Sequence, residues 1–317
     1  MKSIKLIPLL FLSLTSCSQS SKVLENKIFC FDTLVNVKLY GAEQSDVNEL
    51  ANIFNKLSAL TDNYLGSSTN GVYALNQTND EVTVDKDLYD LLKLSLEVKN
   101  DGAKYFNPLC GSLAKKWKES LKNLQILDEN SKNEELLKIS SSSIVFKDNN
   151  VVQRLGEAEI DLGGIAKGYA LDKAHEYLNS KDIKHYLIDA GSSSILLGEK
   201  ESKDGLFSVG LKDVPDSYLK LKNCFVSSSG LSTQGVEIGG VTYSHIINPI
   251  TGSAINENDA VIVVSDTGYY GDAISTSMMM NTVDEIKELE VAHNLKTIVV
   301  KNGQIVYSHQ DLEVYKR

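Results

Sequence analysis

Cysteine is scarce in this chain, 4 of 317 residues, and no two form a C-x-x-C pair. With Cys17 set apart in the N-terminal leader, Cys30, Cys110 and Cys224 remain. An odd number without paired spacing excludes a disulfide framework and a finger-type zinc site. These thiols are expected to behave as small buried apolar groups. Positive charge is also short, with a formal net charge of −10. Nucleic acid needs a basic face, so it is not an expected partner. A polyphosphate ligand on so acidic a protein must be screened locally, by a lysine, helix N-termini or a divalent cation. No apolar run reaches the ~20 residues of a membrane span. Internal repeats are lacking too, which excludes a solenoid.

What is present begins with a leader. Lys2 and Lys5 precede a short apolar run, Leu6 to Leu14, followed by Leu14-Thr-Ser-Cys17. Positive start, short apolar core and small residues describe a secretory signal. A cysteine directly after Leu-Thr-Ser resembles a bacterial lipobox, which implies cleavage before Cys17 and lipid on its sulfur. The expected organisation is a signal peptide over residues 1–16, a lipidated polar tether over 17–26 and a catalytic region over 27–317. Several acyl chains at ~0.8 kcal/mol per buried CH₂ anchor a protein stably. The expected location is the extracytoplasmic side of a bacterial cell membrane, lipid-anchored.

The remainder is 42% hydrophobic over the whole chain and can bury a sizeable core. Alternation over Phe29–Tyr40 (Phe31, Thr33, Val35, Val37 and Leu39 on one face) predicts one strand. Apolar residues at helical spacing predict helices over Val47–Leu60, Asp87–Lys99, Pro108–Leu124, Ile165–Leu178, Asp272–Asn281 and Val283–His293. The polar stretch Asn123–Lys138 is a helix or a surface insertion. Strands are expected at 143–147, 151–155, 159–161, 185–189, 194–197, 206–211, 218–227, 243–247 and 260–265. A last hairpin, 296–300 with 304–308, turns at Asn302-Gly303. Strands and helices do not alternate regularly, which favours an α+β fold of mixed, largely antiparallel sheets with packed helices.

Three runs carry chemistry. In Asp161-Leu-Gly-Gly-Ile-Ala-Lys-Gly-Tyr-Ala a glycine turn opens a helix with Lys167 in its first turn. Helix N-terminal N–H groups beside a cation and glycines suit a pyrophosphate. Asp161 caps that helix or closes the turn, or else accepts hydrogen bonds from a ligand amide or hydroxyl. Ser244-His-Ile-Ile-Asn-Pro-Ile-Thr-Gly252 places His245 on the strand entering a turn. In Gly271-Asp-Ala-Ile-Ser-Thr276, Asp272 is either the helix N-cap or, with Thr276 four residues on, part of a hard-oxygen face suited to Mg²⁺.

In order and wording, Phe31-Asp-Thr, Asp161-Leu-Gly-Gly-Ile-Ala-Lys-Gly, His245-Ile-Ile-Asn-Pro-Ile-Thr-Gly and Asp272-Ala-Ile-Ser-Thr resemble the ApbE family across essentially the whole mature chain. Those are extracytoplasmic FAD:protein FMN transferases, commonly lipoproteins, with a T-fold-like architecture. The resemblance implies that FAD is the substrate and Mg²⁺ the cofactor. It implies that FMN passes to a threonine hydroxyl of an acceptor protein, with AMP released. It assigns FAD contacts to Phe31, Trp117, Asp161, Lys167 and Ile246. It assigns the metal to the Gly164 carbonyl, Asp272 and Thr276, with Ser275 nearby. His245 is the candidate base. Five positions depart from the usual family pattern: Phe31-Asp32 for Met-Gly, Lys118 for glycine, Asn248 for aspartate and Gly271 for alanine. Competing readings are an FAD pyrophosphatase, a non-catalytic flavin-binding lipoprotein and a generic solute-binding lipoprotein.

Overall fold

The computed structural model describes residues 22–66, 69–231, 235–255 and 258–317, so the leader and Cys17 lie outside the described residues. The first half runs β1 (Val23–Cys30), β2 (Thr33–Tyr40), α1 (Gln44–Thr61), α2 (Val72–Asn76), β3 (Glu81–Thr83), α3 (Lys86–Asn100), α4 (Gly111–Lys122), α5 (Glu129–Ser141), β4 (Ser143–Lys147), β5 (Val151–Leu155) and α6 (Ala166–Ser180). The second half opens with β6 (Tyr186–Ala190), β7 (Ser194–Leu197), β8 (Phe207–Gly210), β9 (Ser217–Leu221), β10 (Cys224–Gly230), β11 (Val236–Ile238) and β12 (Val241–Tyr243). It closes with β13 (Ala260–Ser265), α7 (Gly268–Met278), α8 (Val283–His293), β14 (Lys296–Lys301), β15 (Gln304–Ser308) and β16 (Tyr315–Lys316).

An eight-stranded sheet in the order β1-β2-β6-β7-β10-β13-β14-β15 organises these elements, and each neighbouring pair is antiparallel. The fold is thus α+β and largely antiparallel, as the irregular alternation predicts. Side chains alternate across a strand, so β13 sends Val261 and Val263 to one face and Ile262 and Val264 to the other. All six β13 residues are buried. The first face carries the helices: Val35, Val37, Ile188, Val261 and Val263 join Leu50, Phe54, Leu171, Ala174 and Ile274 in the main core. The opposite face is covered by the small β16-β9-β8 sheet, through Phe207, Val209 and Leu219. Large apolar side chains buried this fully contribute about 1.5–3 kcal/mol each relative to exposure. Among the described residues no helix is long and apolar enough to cross a membrane.

Most helices lie where the 3.6-residue spacing expects them, but α7 starts at Gly268, before the expected Asp272, and the polar 123–138 stretch is helical only from Glu129, where α5 begins. Several expected strands are corrected. Phe29–Tyr40 is not one strand: Phe31 (φ 52) and Asp32 (φ 55) form a left-handed turn between β1 and β2. Residues 23–26, expected in the tether, belong to β1 and pair with β2 as far as Val23↔Tyr40. The 218–227 run splits at Lys222-Asn223, where Asn223 has φ 49. Beyond Tyr243 the expected 243–247 strand leaves the sheet, keeping an isolated bridge between Ile247 and Ala254.

Glu159–Asp161 is extended but joins no ladder, because its partners are not strands. Gly111 N–H donates to the Glu159 carbonyl and Asp161 N–H to the Pro108 carbonyl. On the other side the Asn76 side chain replaces a neighbouring backbone, accepting from Ile160 N–H at 2.7 Å and donating to Ile160 C=O at 2.9 Å. Buried Arg154 ties down the same region through the carbonyls of Leu75, Thr78 and Ala158.

Candidate active site at the crossing of two helices

Helices α6 and α7 cross with their backbones in contact. A Cβ on Gly168 would lie 2.1 Å from the Gly268 carbonyl oxygen, and one on Gly268 would lie 2.3 Å from the Gly168 carbonyl oxygen. Only glycine at both positions permits that approach. Two carboxylates fasten the crossing. Asp172 of α6 accepts from Gly268 N–H and Tyr269 N–H, each at 2.7 Å, capping the start of α7, whose own N-cap Thr267 makes no side-chain cap bond. Burial pushes the Asp172 carboxyl up to about 6, although those two N–H groups pull the other way. In return, Asp272 of α7 accepts from Gly168 N–H at 2.9 Å.

Asp272 is therefore a mid-helix residue and not the N-cap. It is 5% exposed, and its second oxygen accepts from Ser194 Oγ on β7 at 2.9 Å. One turn on, Thr276 is half-buried and faces the double-glycine turn: its Oγ1 lies 3.6 Å from where a Gly164 Cβ would stand. Ser275 is completely buried, and its hydroxyl donates to the Asp272 carbonyl at 2.9 Å. Gly271 has no space for the family's alanine, since a Cβ there would fall 2.4 Å from Ser265 Oγ. An alanine here would force the Ser265 hydroxyl out of its hydrogen bond to the Thr267 carbonyl.

These donors fit a hard cation. Each Asp272 oxygen accepts one hydrogen bond and keeps a further lone pair, and Thr276 adds a hydroxyl. Among the described residues no group of three or more His, Cys, Asp or Glu could form an all-protein metal cage. One carboxylate with neutral oxygens is the sparse set Mg²⁺ accepts when substrate phosphates and waters complete its shell.

The remaining site residues lie in less regular segments. Asp161 does not cap α6; it accepts from Gly163 N–H at 2.7 Å and shapes the glycine turn. Lys167 Nζ lies 3.4 Å from the Gly163 carbonyl. The His245 side chain is solvent-accessible. Partial burial, with Lys167 and Lys212 as neighbouring cations, lowers its pKa to about 4. Phe31-Asp32 forms the tip of the β1–β2 hairpin. Phe31 sits at that tip, with its N–H held by Ser58 Oγ at 2.8 Å.

Two expected ligand contacts are not at the site surface. Trp117 is 1% exposed; its Nε1–H donates to the Gly252 carbonyl at 2.7 Å and its ring stacks on Tyr243. It braces the loop that carries His245. Ile246 is buried in the core, and its N–H is taken by Ser244 Oγ. An alternating loop residue points inward when its neighbour points outward, which is why His245 is accessible and Ile246 is not. Lys118, another family departure, lies 4.6 Å over the Tyr64 ring. Asn248 accepts from the N–H groups of Ile250 and Thr251, an Asx turn that aspartate would also make.

Sequence reasoning missed Asp172, Ser194, Ser229 and Gly168. Asp172 and Gly168 share the α6 face of Lys167's run at four-residue spacing, which was a legible signal. The serines offered none beyond their clustering in Gly191–Ser194 and Ser227–Gly230.

The sequence model of the ApbE family matches residues 31–299, well over half of the chain. The chain belongs to the ApbE family. It is 28% identical over 217 residues to an FAD:protein FMN transferase of Treponema pallidum, a match covering 62% of this chain and 60% of that protein. It is 25% identical over 238 residues to an FAD:protein FMN transferase of Klebsiella pneumoniae, covering 72% and 73%. Its fold superposes on the ApbE protein of Thermotoga maritima with a TM-score of 0.76 at 23% identity, covering 93% of this chain and 97% of that one.

Proposed function

We propose that this chain is a Mg²⁺-dependent transferase that moves FMN from FAD onto a threonine hydroxyl of an acceptor protein, releasing AMP. The observation that carries this reading is the lock between Asp272 of the late helix and Gly168 of the helix opened by the double-glycine turn, 2.9 Å apart. It puts the oxygen donors of α7 against the N-terminal turn expected to receive a diphosphate.

Asp272, the Thr276 hydroxyl and the Gly164 carbonyl would hold Mg²⁺, which would supply positive charge to neutralise a bound diphosphate. Asp161 and Lys167 bind and orient the FAD. The acceptor's threonine oxygen forms a bond to the FMN-side phosphorus, the phosphorus–oxygen bond to AMP breaks, and AMP leaves. His245, neutral at physiological pH, takes the threonine proton on its imidazole nitrogen. Phe31 faces the flavin from the hairpin tip. The leader and Cys17 support a lipid anchor on the extracytoplasmic side of a bacterial membrane. Loss of membrane fractionation in Cys17→Ser tests that anchor, and unchanged fractionation refutes it.

The deciding experiment incubates the protein with FAD, Mg²⁺ and an acceptor bearing an exposed threonine, following acceptor mass and AMP. Added FMN mass with equimolar AMP is expected. Free FMN and AMP with an unmodified acceptor would make it a pyrophosphatase, and intact FAD would make it a binding protein.

A further inference from the structure

We propose that Ser229, on β10, sets the proton direction of the Thr276 hydroxyl so that its lone pairs, and not its hydrogen, face the cation; this rests on the metal reading of Asp272 and Thr276. A hydroxyl carries one proton and two lone pairs, so a closed chain of hydroxyls fixes its own direction. Ser275 Oγ lies 2.9 Å from the Asp272 carbonyl oxygen, which can only accept, so Ser275 spends its proton there. Ser229 Oγ lies 2.9 Å from Ser275 Oγ and must therefore donate to it. With that proton committed, the 3.2 Å contact between Ser229 Oγ and Thr276 Oγ1 runs from Thr276 to Ser229. The other acceptor within reach of Thr276, the Asp272 carbonyl at 3.3 Å, already accepts from Ser275 at 2.9 Å, which leaves Ser229 as the nearer and less occupied partner for the Thr276 proton.

The consequence is a relay, Thr276 to Ser229 to Ser275 to the Asp272 carbonyl, that leaves the Thr276 lone pairs free on the side of Gly164. Ser275, completely buried and with its proton and one lone pair both engaged, acts as a link in this relay and not as a metal ligand. Ser229 is a positioning residue. It acts through Thr276 and touches neither the FAD nor the acceptor in this role.

The test is Mn²⁺ affinity, from the electron-spin resonance of free Mn²⁺ with the full chain and no flavin, read beside the melting temperature. Loss of an outer hydrogen bond weakens metal sites by roughly 10-fold or more, so Ser229→Ala should bind Mn²⁺ about 10-fold more weakly at an unchanged melting temperature. Ser229→Thr, which keeps the hydroxyl, should bind like the wild type and guards against a folding failure in the alanine variant. In a Thr276→Ala background Ser229→Ala should cost nothing further. Wild-type affinity in Ser229→Ala, weak binding in Ser229→Thr, or an additive loss in the double variant would each overturn the relay while leaving the metal reading intact. Mn²⁺ binding that is absent in the wild type, or unaltered in Asp272→Asn, would overturn the metal reading and the relay with it.

Discussion

The two walls of the candidate site are built in opposite ways. The α6–α7 wall is backbone-tight: glycine against glycine, two carboxylates bonded across the crossing and serine hydroxyls filling what is left. The facing wall is a left-handed hairpin tip at Phe31-Asp32, an irregular Asp161 segment and the loop of His245. The first wall holds oxygen donors where fractions of an ångström decide cation binding, and regular helices give that precision. Under the proposed function the second would meet a large flavin and a protein acceptor, a task for side chains on loops.

Removing charge from the tight wall should cost the most activity. Asp272→Asn keeps an acceptor for Gly168 N–H and a donor for Ser194 Oγ, so it should fold normally while flavin transfer falls by about 10³-fold. Asp272→Ala is a poorer probe, because it strands a buried N–H and a hydroxyl at about 1–3 kcal/mol. Transfer by Asp272→Asn at wild-type rates would remove the metal from the mechanism. Next is steric: Gly168→Ala forces a Cβ into the Gly268 carbonyl and should destabilise the protein by about 3 kcal/mol, measured by urea denaturation. A stability loss near zero would mean that the crossing can open.

On the looser wall, His245→Ala should lower kcat by about 10²-fold without a change in stability. The His245 pKa is lowered, so the base is neutral above about 4 and protonated below it. The kcat/KM profile, which reports the free enzyme, should therefore lose activity as pH falls through about 4, and that acid limb should vanish in the variant. Bound diphosphate adds negative charge nearby, which moves the limb in kcat to higher pH. A limb that persists in His245→Ala assigns the proton transfer elsewhere. The smallest effect is expected at the hairpin tip. Asp32→Gly relieves a left-handed backbone at φ 55 and should raise stability by roughly 0.5–1 kcal/mol; a lower melting temperature would show that the aspartate makes a contact worth more than its strain.

Helices were legible because periodicity of apolar residues survives in one dimension: Val47, Leu50, Phe54 and Leu57 all face the core. Strand continuity was less so, since alternation passes unbroken through Phe31 although the chain reverses there. The Glu159–Asp161 segment misled for a related reason. It is extended and paired, but its partner on one side is the amide of Asn76, which lies 84 residues away from Ile160 in the chain. Trp117 and Ile246 sit near the site in sequence logic and behind it in space, a distinction that burial alone draws.

The sequence by itself determined the family, the helical faces and the residue types able to hold a cation and a dinucleotide, because spacing and chemical identity are local properties. Tertiary structure decided which oxygen points where. It placed Asp172 as the cap of another helix, made Asp272 a lock across the helix crossing, and joined Ser229, Ser275 and Thr276 into one hydrogen-bonded chain. Those outcomes depend on two helices packing at glycine distance against a serine-lined strand, and directional bonds between distant segments leave no periodic trace in the order of residues.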